Sequence, residues 1–177
     1  EEFYRFYRNK MLFPNAKPNR AHLALAKLEQ EGKLKAVITQ NIDGLHQLAG
    51  SKNVYELHGS IHRNHCMRCN RFFDAEYVKN HSGIPYCPCG GMIKPDVVLY
   101  EESLDPDVLA GAVAHISRAD MLIVGGTSLQ VYPAAGLINY YSGNKLVLIN
   151  KTITPYDSYA NLVINDSIGK VLSAAVE

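Results

Sequence analysis

Residues 120–136 read DMLIVGGTSLQVYPAAG. A short apolar, β-branched run, Met121-Leu122-Ile123-Val124, ends on two glycines and passes through small polar residues into a helical pattern. This is the strand, tight turn and helix of an α/β unit. Working outward, a helix is expected over about 105–117, with Pro106 suited to a first turn. A second helix is expected over about 132–141, before a strand at 145–149, KLVLI. A last strand, ANLVI at 160–164, and a last helix at 167–176 follow. Upstream, AVIT at 36–39 is another short strand. Before it, Asn19 is placed to cap a helix whose apolar stripe begins at His22-Leu23-Leu25-Ala26 and closes at Gly32. Apolar strands alternating with helices imply a doubly wound parallel sheet covered on both faces. Ligands of such folds sit at the carboxyl ends of the strands.

That rule gives meaning to Gln40, Asn41 and Asp43, which follow the strand 36–39 in the run TQNID. Two amides and a carboxylate at the mouth of a buried strand are groups that line a ligand pocket. GGTSLQVYPAAG opens a helix with small residues, so its backbone N–H groups can approach an anion. A close-packed strand–helix turn accounts for it equally well. Asn150 ends the strand LVLIN, where its amide either holds a ribose hydroxyl or serves a turn. His58, in YELHGSIH, is as an isolated histidine more often structural than catalytic.

The chain has 177 residues, 47% apolar and 20% charged, with a net charge of +1. Nothing in that balance calls for nucleic acid or an anionic membrane as partner. The apolar runs are far too short to span a bilayer. At the start, Phe3, Phe6, Tyr7 and Met11 are spaced to share one helical face, and the segment lacks the features of a signal peptide. All four cysteines fall at Cys66-x2-Cys69 and Cys87-x-Cys89, and two close pairs point to a metal rather than disulfides. Four thiolates suit one tetrahedral Zn²⁺ without an open position, a structural site. His62, His65 and His81 lie near enough in sequence to replace a ligand. The second pair is one residue shorter than a usual knuckle, and the glycines after it permit the tight turn. Paired thiols place the protein in a reducing compartment, the cytoplasm. Residues 60–96, polar and rich in turn residues, read as a zinc-binding module. It is inserted into a larger unit of residues 1–59 and 97–177, with residues 1–20 assigned either to that unit or to a small helical part.

Taken in order, TQNIDGLHQLAG, ELHGS, the paired cysteines, KPDVVLYEE, GTSLQVYPAAG and LVLIN resemble the sirtuins, the silent-information-regulator type NAD-dependent protein deacylases, in the spelling of a bacterial member. The resemblance implies a Rossmann-like domain carrying a small zinc domain, with NAD and an acyl-lysine protein or peptide meeting in the cleft between them. It assigns Gln40, Asn41, Ile42 and Asp43 to the nicotinamide and its ribose, Asp43 to the carboxamide, and Asn41 to ordering the ribose or a water. His58 becomes the general base, beside Asn41 as the second catalytic position. Gly126, Thr127 and Ser128 face the phosphates and ribose, Asn150 and Lys151 the adenosine ribose, and Ile168 the adenine. Val98, Leu99 and Tyr100 become the edge that pairs with an extended substrate.

The reaction implied removes the acyl (acetyl) group from lysine and gives nicotinamide and O-acyl-ADP-ribose. A protein ADP-ribosyltransferase and a non-catalytic NAD- or ADP-ribose-binding module are the alternative readings. The family's first strand, its Gly-Ala-Gly-Ile-Ser-like loop and its Gly-Ile-Pro-Asp-Phe-Arg-like segment have no counterpart in residues 1–177, so a preceding segment is expected. Glu101 stands where many members have glycine.

Overall fold

The computed structural model describes residues 1–13 and 15–176. Pro14, within the expected loop before the first long helix, and Glu177, the last residue of the expected larger unit, lie outside the described residues. The long helix is α2, Arg20–Gln30. Asn19 caps it, its Oδ1 accepting from the N–H groups of Ala21 and His22 at 2.9 and 3.3 Å while His22 Nδ1 accepts from Asn19 N–H at 3.1 Å. Of the expected stripe, His22, Ala26 and part of Leu25 turn inward, but Leu23 is exposed and Ala21 and Ala24 are buried instead.

Four parallel strands match the expected ones: β1 (Val37–Thr39), β6 (Leu122–Gly125), β7 (Leu146–Ile149) and β8 (Leu162–Ile164). A fifth, β2 (Val54–Glu56), pairs with β1 in parallel register, Val37 opposite Val54 and Thr39 opposite Glu56. The parallel strands form two ladders, β1-β2 and β6-β7-β8. Helix α5 (Pro106–Arg118) and the segment Ala134–Tyr140 form a layer over both. Leu57, Ala112, Ile116, Ala134 and Leu137 share a core with Ile38, Tyr55 and Leu122. Side chains alternate across β7 as period-2 geometry demands. Leu146 and Leu148 meet Ala135 and Ile138 on one face, and Ile149 meets α2 and α6 (Ile168–Val176) on the other. The sheet is thereby covered on both sides, the condition for apolar parallel strands. The segment expected as a helix over 132–141 is a 3₁₀ helix from Ala134 to Tyr140, whose tighter turn keeps Ala134, Ala135, Leu137 and Ile138 all buried.

Inserted between β2 and α5 is an antiparallel sheet: β3 (Gly59–Cys66) at its centre, β4 (Phe72–Phe73) on one side and β5 (Ile93–Val97) on the other. Pro95 is tolerated because β5 is an edge strand. A short helix α4 (Ala75–Asn80), capped by Asp74, and the four-residue α3 (Leu45–Leu48) complete the described elements around this region. Helix α1 (Glu2–Phe6) runs into a π-helical turn, Tyr7–Met11. The wider turn changes the expected face: Phe3, Tyr4, Tyr7 and Met11 pack on Ile61, Cys66, Val78 and Ile93, while Phe6 is exposed. Arg8 fixes the docking by donating from Nε to Val78 O at 2.9 Å and from a terminal nitrogen to Gly83 O. No helix among the described residues is long and apolar enough to cross a membrane.

Candidate active site and metal centre

Two parallel ladders end on the same kind of surface, and each carries part of the expected site. At the end of β1, Thr39 Oγ1 accepts from Asn41 N–H at 3.0 Å, which starts the turn Gln40–Asp43. Asp43 Oδ1 accepts from the N–H of Leu45, the first residue of α3, at 3.0 Å, while Gly44, its N-cap, adopts a left-handed φ of 67°. Because Thr39 lies opposite Glu56, the chain leaving β2 passes beside this turn. Leu57 N–H donates to Thr39 O at 2.9 Å, and the next residue is His58.

His58 is half-buried, and its Nδ1 lies 3.0 Å from Gln40 O. A carbonyl oxygen only accepts, so Nδ1 carries the hydrogen and Nε2 keeps a lone pair. His58 O in turn accepts from Val98 N–H at 3.0 Å. Gly59, at φ 74°, lets β3 run against β5 immediately after the histidine, for a Cβ there would lie 1.8 Å from Asp96 O. One end of the fold therefore brings Gln40, Asn41, Ile42, Asp43, His58 and Val98 together. Asn41 is exposed and Ile42 and Asp43 half-buried. Leu99 N–H is held by Glu102 Oε2 at 3.0 Å, and Tyr100 is fully exposed, just before Glu101 at φ 69°. Glu101 thus adopts the left-handed conformation that favours glycine.

The second group gathers at the ends of β6 and β7. Asn150, 8% exposed, accepts from Thr127 N–H at 3.0 Å through Oδ1 and donates to Thr127 O at 2.9 Å through Nδ2. This amide pairs with backbone as a further strand residue would, and it fixes the turn carrying Gly126, Thr127 and Ser128. Gly126 has φ 66° and Ser128 is exposed. Ile168 enters from the start of α6 and lies against Gly125, where a Cβ would meet its Cδ1 at 2.4 Å. Lys151, beside Asn150, is exposed.

In the inserted sheet the four cysteines converge. Their sulfurs lie within 4.8 Å of one another, with Cys66–Cys89 at 3.4 Å, Cys69–Cys89 at 3.5 Å and Cys69–Cys87 at 3.7 Å. A disulfide requires about 2.05 Å, whereas sulfurs about 2.3 Å from a central zinc stand roughly 3.8 Å apart at tetrahedral angles. The cluster fits zinc. Burial raises the Cys66 thiol, but hydrogen bonds from the Cys69 and Arg68 backbone and from the Cys89 and Cys69 thiols outweigh it and bring it to about 6. Cys87, although a backbone hydrogen bond from Cys89 lowers it, is pushed up to about 12 by burial and by the other three thiols. Four thiolates at this spacing need a cation to coexist. The short Cys87-x-Cys89 knuckle closes because Gly90 takes φ 84° and Gly91 approaches Cys66 Sγ so closely that a Cβ would stand 2.6 Å from it. His65 packs on Phe72, His81 on Tyr77, and His62 holds Asp43 O, so none of the three joins the sulfur cluster.

Sequence reasoning overlooked Arg63 and the buried Glu56. Arg63 donates to Glu56 at 2.7 Å and to Asp96 at 2.8 Å, tying the end of β2 to β5. It also overlooked the packed rings of His22 and His46, 4.6 Å apart behind Asp43. Only a shared threefold or fourfold helical spacing would have betrayed them, and these partners lie on different elements.

Residues 1–133 match the Sir2 family. The chain is 67% identical over 178 aligned positions to an NAD-dependent protein deacetylase of Clostridium acetobutylicum, covering 99% of this chain and 73% of that protein. It is 64% identical over 179 positions to the NAD-dependent protein deacetylase of Clostridium perfringens, covering all of this chain and 73% of the relative. Among solved structures, Sir2 bound to acetylated peptide superposes with TM-score 0.90 at 44% identity, over 98% of this chain and 76% of that one. A Sir2–p53 peptide–NAD⁺ complex gives 0.91 at 46% identity, over 98% and 75%.

Proposed function

This chain belongs to the Sir2 family, and from that footing we propose that it is an NAD-dependent protein-lysine deacetylase. With NAD and water as co-substrates it converts an acyl-lysine protein or peptide to free lysine, nicotinamide and O-acyl-ADP-ribose. The observation that carries this reading is the His58 Nδ1–H···O Gln40 contact, which presents a basic Nε2 beside the TQNID turn.

NAD, when bound, supplies an electrophilic ribose carbon and a pyridine leaving group. Everything else falls to side chains. Asp43 has one carboxylate oxygen committed to Leu45 N–H, and its second oxygen is the acceptor for the carboxamide. Gln40, Asn41 and Ile42 surround the same ring and its ribose. His58 Nε2 takes the proton of the ribose 2′-hydroxyl, and the Gln40 carbonyl stabilises the imidazolium that results. The turn Gly126-Thr127-Ser128 receives the phosphates and ribose, with Asn150 holding that turn in shape. Lys151 and Ile168 flank the adenosine. Val98, Leu99 and Tyr100 receive the extended substrate. Cys66, Cys69, Cys87 and Cys89 hold Zn²⁺ with no position open to a reactant, so the metal maintains the fold of residues 60–96. We place the protein in the cytoplasm, on the strength of cysteines arranged for metal instead of disulfides.

The test is incubation of the natural full-length protein with NAD and an acetyl-lysine peptide. Equal amounts of nicotinamide, deacetylated peptide and O-acetyl-ADP-ribose are expected. Transfer of labelled ADP-ribose to protein in place of these products overturns the reading.

A further inference from the structure

His62 stands outside every role assigned so far, and its surroundings give it one. The β3/β5 ladder pairs Gly59 with Val97 and Ser60 with Asp96, then resumes with Asn64 opposite Pro95. Residues 61–63 are therefore extra on β3, a bulge that lifts them out of the inserted sheet. All three reach back to the other part of the fold. Ile61 N–H donates to Ile42 O at 3.0 Å. His62 Nε2 lies 2.9 Å from Asp43 O, so it is the N–H donor. Arg63 bonds Glu56. The His62 ring lies directly on Gly44: a Cβ at that glycine would stand 2.8 Å from His62 Cδ2. Backbone carbonyls of two consecutive residues, Ile42 and Asp43, are thus gripped by two consecutive residues of the bulge.

We propose that His62 is a positioning residue for nicotinamide recognition: its Nε2–H fixes the Asp43 peptide, and through it the direction of the Asp43 carboxylate. This rests on Asp43 being the partner of the carboxamide. The effect of this contact belongs on the affinity for the pyridine end of NAD and for free nicotinamide, not on the substrate peptide and not on the proton transfer at His58.

The experiment uses the intact natural protein, with zinc content confirmed for each variant. Losing one such hydrogen bond in His62→Ala is expected to raise KM for NAD and the inhibition constant of nicotinamide together, about three- to tenfold. His62→Asn, polar but too short to reach Asp43 O, should behave the same way. His62→Gln, whose Nε2 matches the imidazole's reach, should return both constants to within about twofold, with kcat and peptide KM within about twofold in all three. Unchanged NAD and nicotinamide constants in Ala and Asn variants, beside an Asp43→Asn control that raises both, overturn the role of His62. An Asp43→Asn control with unaltered constants overturns the reading of Asp43 and the clamp with it. Loss of activity in Ala, Asn and Gln variants alike, with zinc retained, also counts against the proposal.

Discussion

The base proposed at His58 depends on a carbonyl rather than on a carboxylate. Gln40 O fixes the Nδ1–H tautomer without adding a full negative charge, so the imidazole is oriented with Nε2 facing away from that carbonyl. His58→Ala should lower kcat about 10²- to 10⁴-fold, while NAD binding by calorimetry stays near that of the parent. The neighbouring glycine is a packing demand. Gly59→Ala places a methyl into Asp96 O at a left-handed φ, and a loss on the order of 2–3 kcal/mol is expected in urea unfolding. The cysteines were readable from the spacing of their two pairs, whereas His58 was singled out only by the family resemblance, since a lone histidine is more often structural. The sequence did not reveal how Asn150 works: a lone terminal asparagine looks the same whether it faces ligand or backbone, and here both ends of its amide meet Thr127.

At the level of elements, that amide joins the turns after β6 and β7. Asn150→Ala leaves the Thr127 N–H and C=O without their side-chain partner in a half-buried setting. It should destabilise the protein by about 1–3 kcal/mol and raise KM for NAD, checked by denaturant melts and initial rates. Helices α2 and α3 meet through His22 and His46, both with pKa lowered, chiefly by burial; Asp43 opposes the shift in each, and His22 adds to it at His46. A histidine depressed when folded binds fewer protons than in the unfolded chain just below pH 6.5. Stability is therefore present above pH 6.5 and falls as pH drops from there toward the lowered values. His46→Gln should flatten that slope between about pH 7 and 5.5 in pH-dependent melts. Strands β1, β6, β7 and β8 and helices α2, α5 and α6 were legible because their apolar periods are intact. Strand β3 was not. GSIHRNHC carries two histidines and an arginine, and its bulge breaks the period-2 pattern at Ile61-His62-Arg63, which turn back to grip the larger unit.

Across the whole molecule, the inserted sheet is no passive appendage. Its β3 begins one residue after His58, its bulge holds the TQNID turn, and the N-terminal helical segment packs on its cysteine-bearing core. Removing zinc with a chelator should unfold residues 60–96, free thiols to a colorimetric reagent and abolish turnover, with activity recovered on adding Zn²⁺ to promptly treated protein. The central claim is that His58, beside a nicotinamide-binding turn, makes the sugar of NAD the acceptor of the acyl group. The most direct measurement is a single turnover of the natural full-length protein with NAD and a peptide carrying ¹⁴C-acetyl-lysine. The label should appear on ADP-ribose as nicotinamide is released, and in His58→Ala the labelled O-acetyl-ADP-ribose should form far more slowly. Label released as free acetate from the first time point, or an undiminished rate in His58→Ala, would contradict the account.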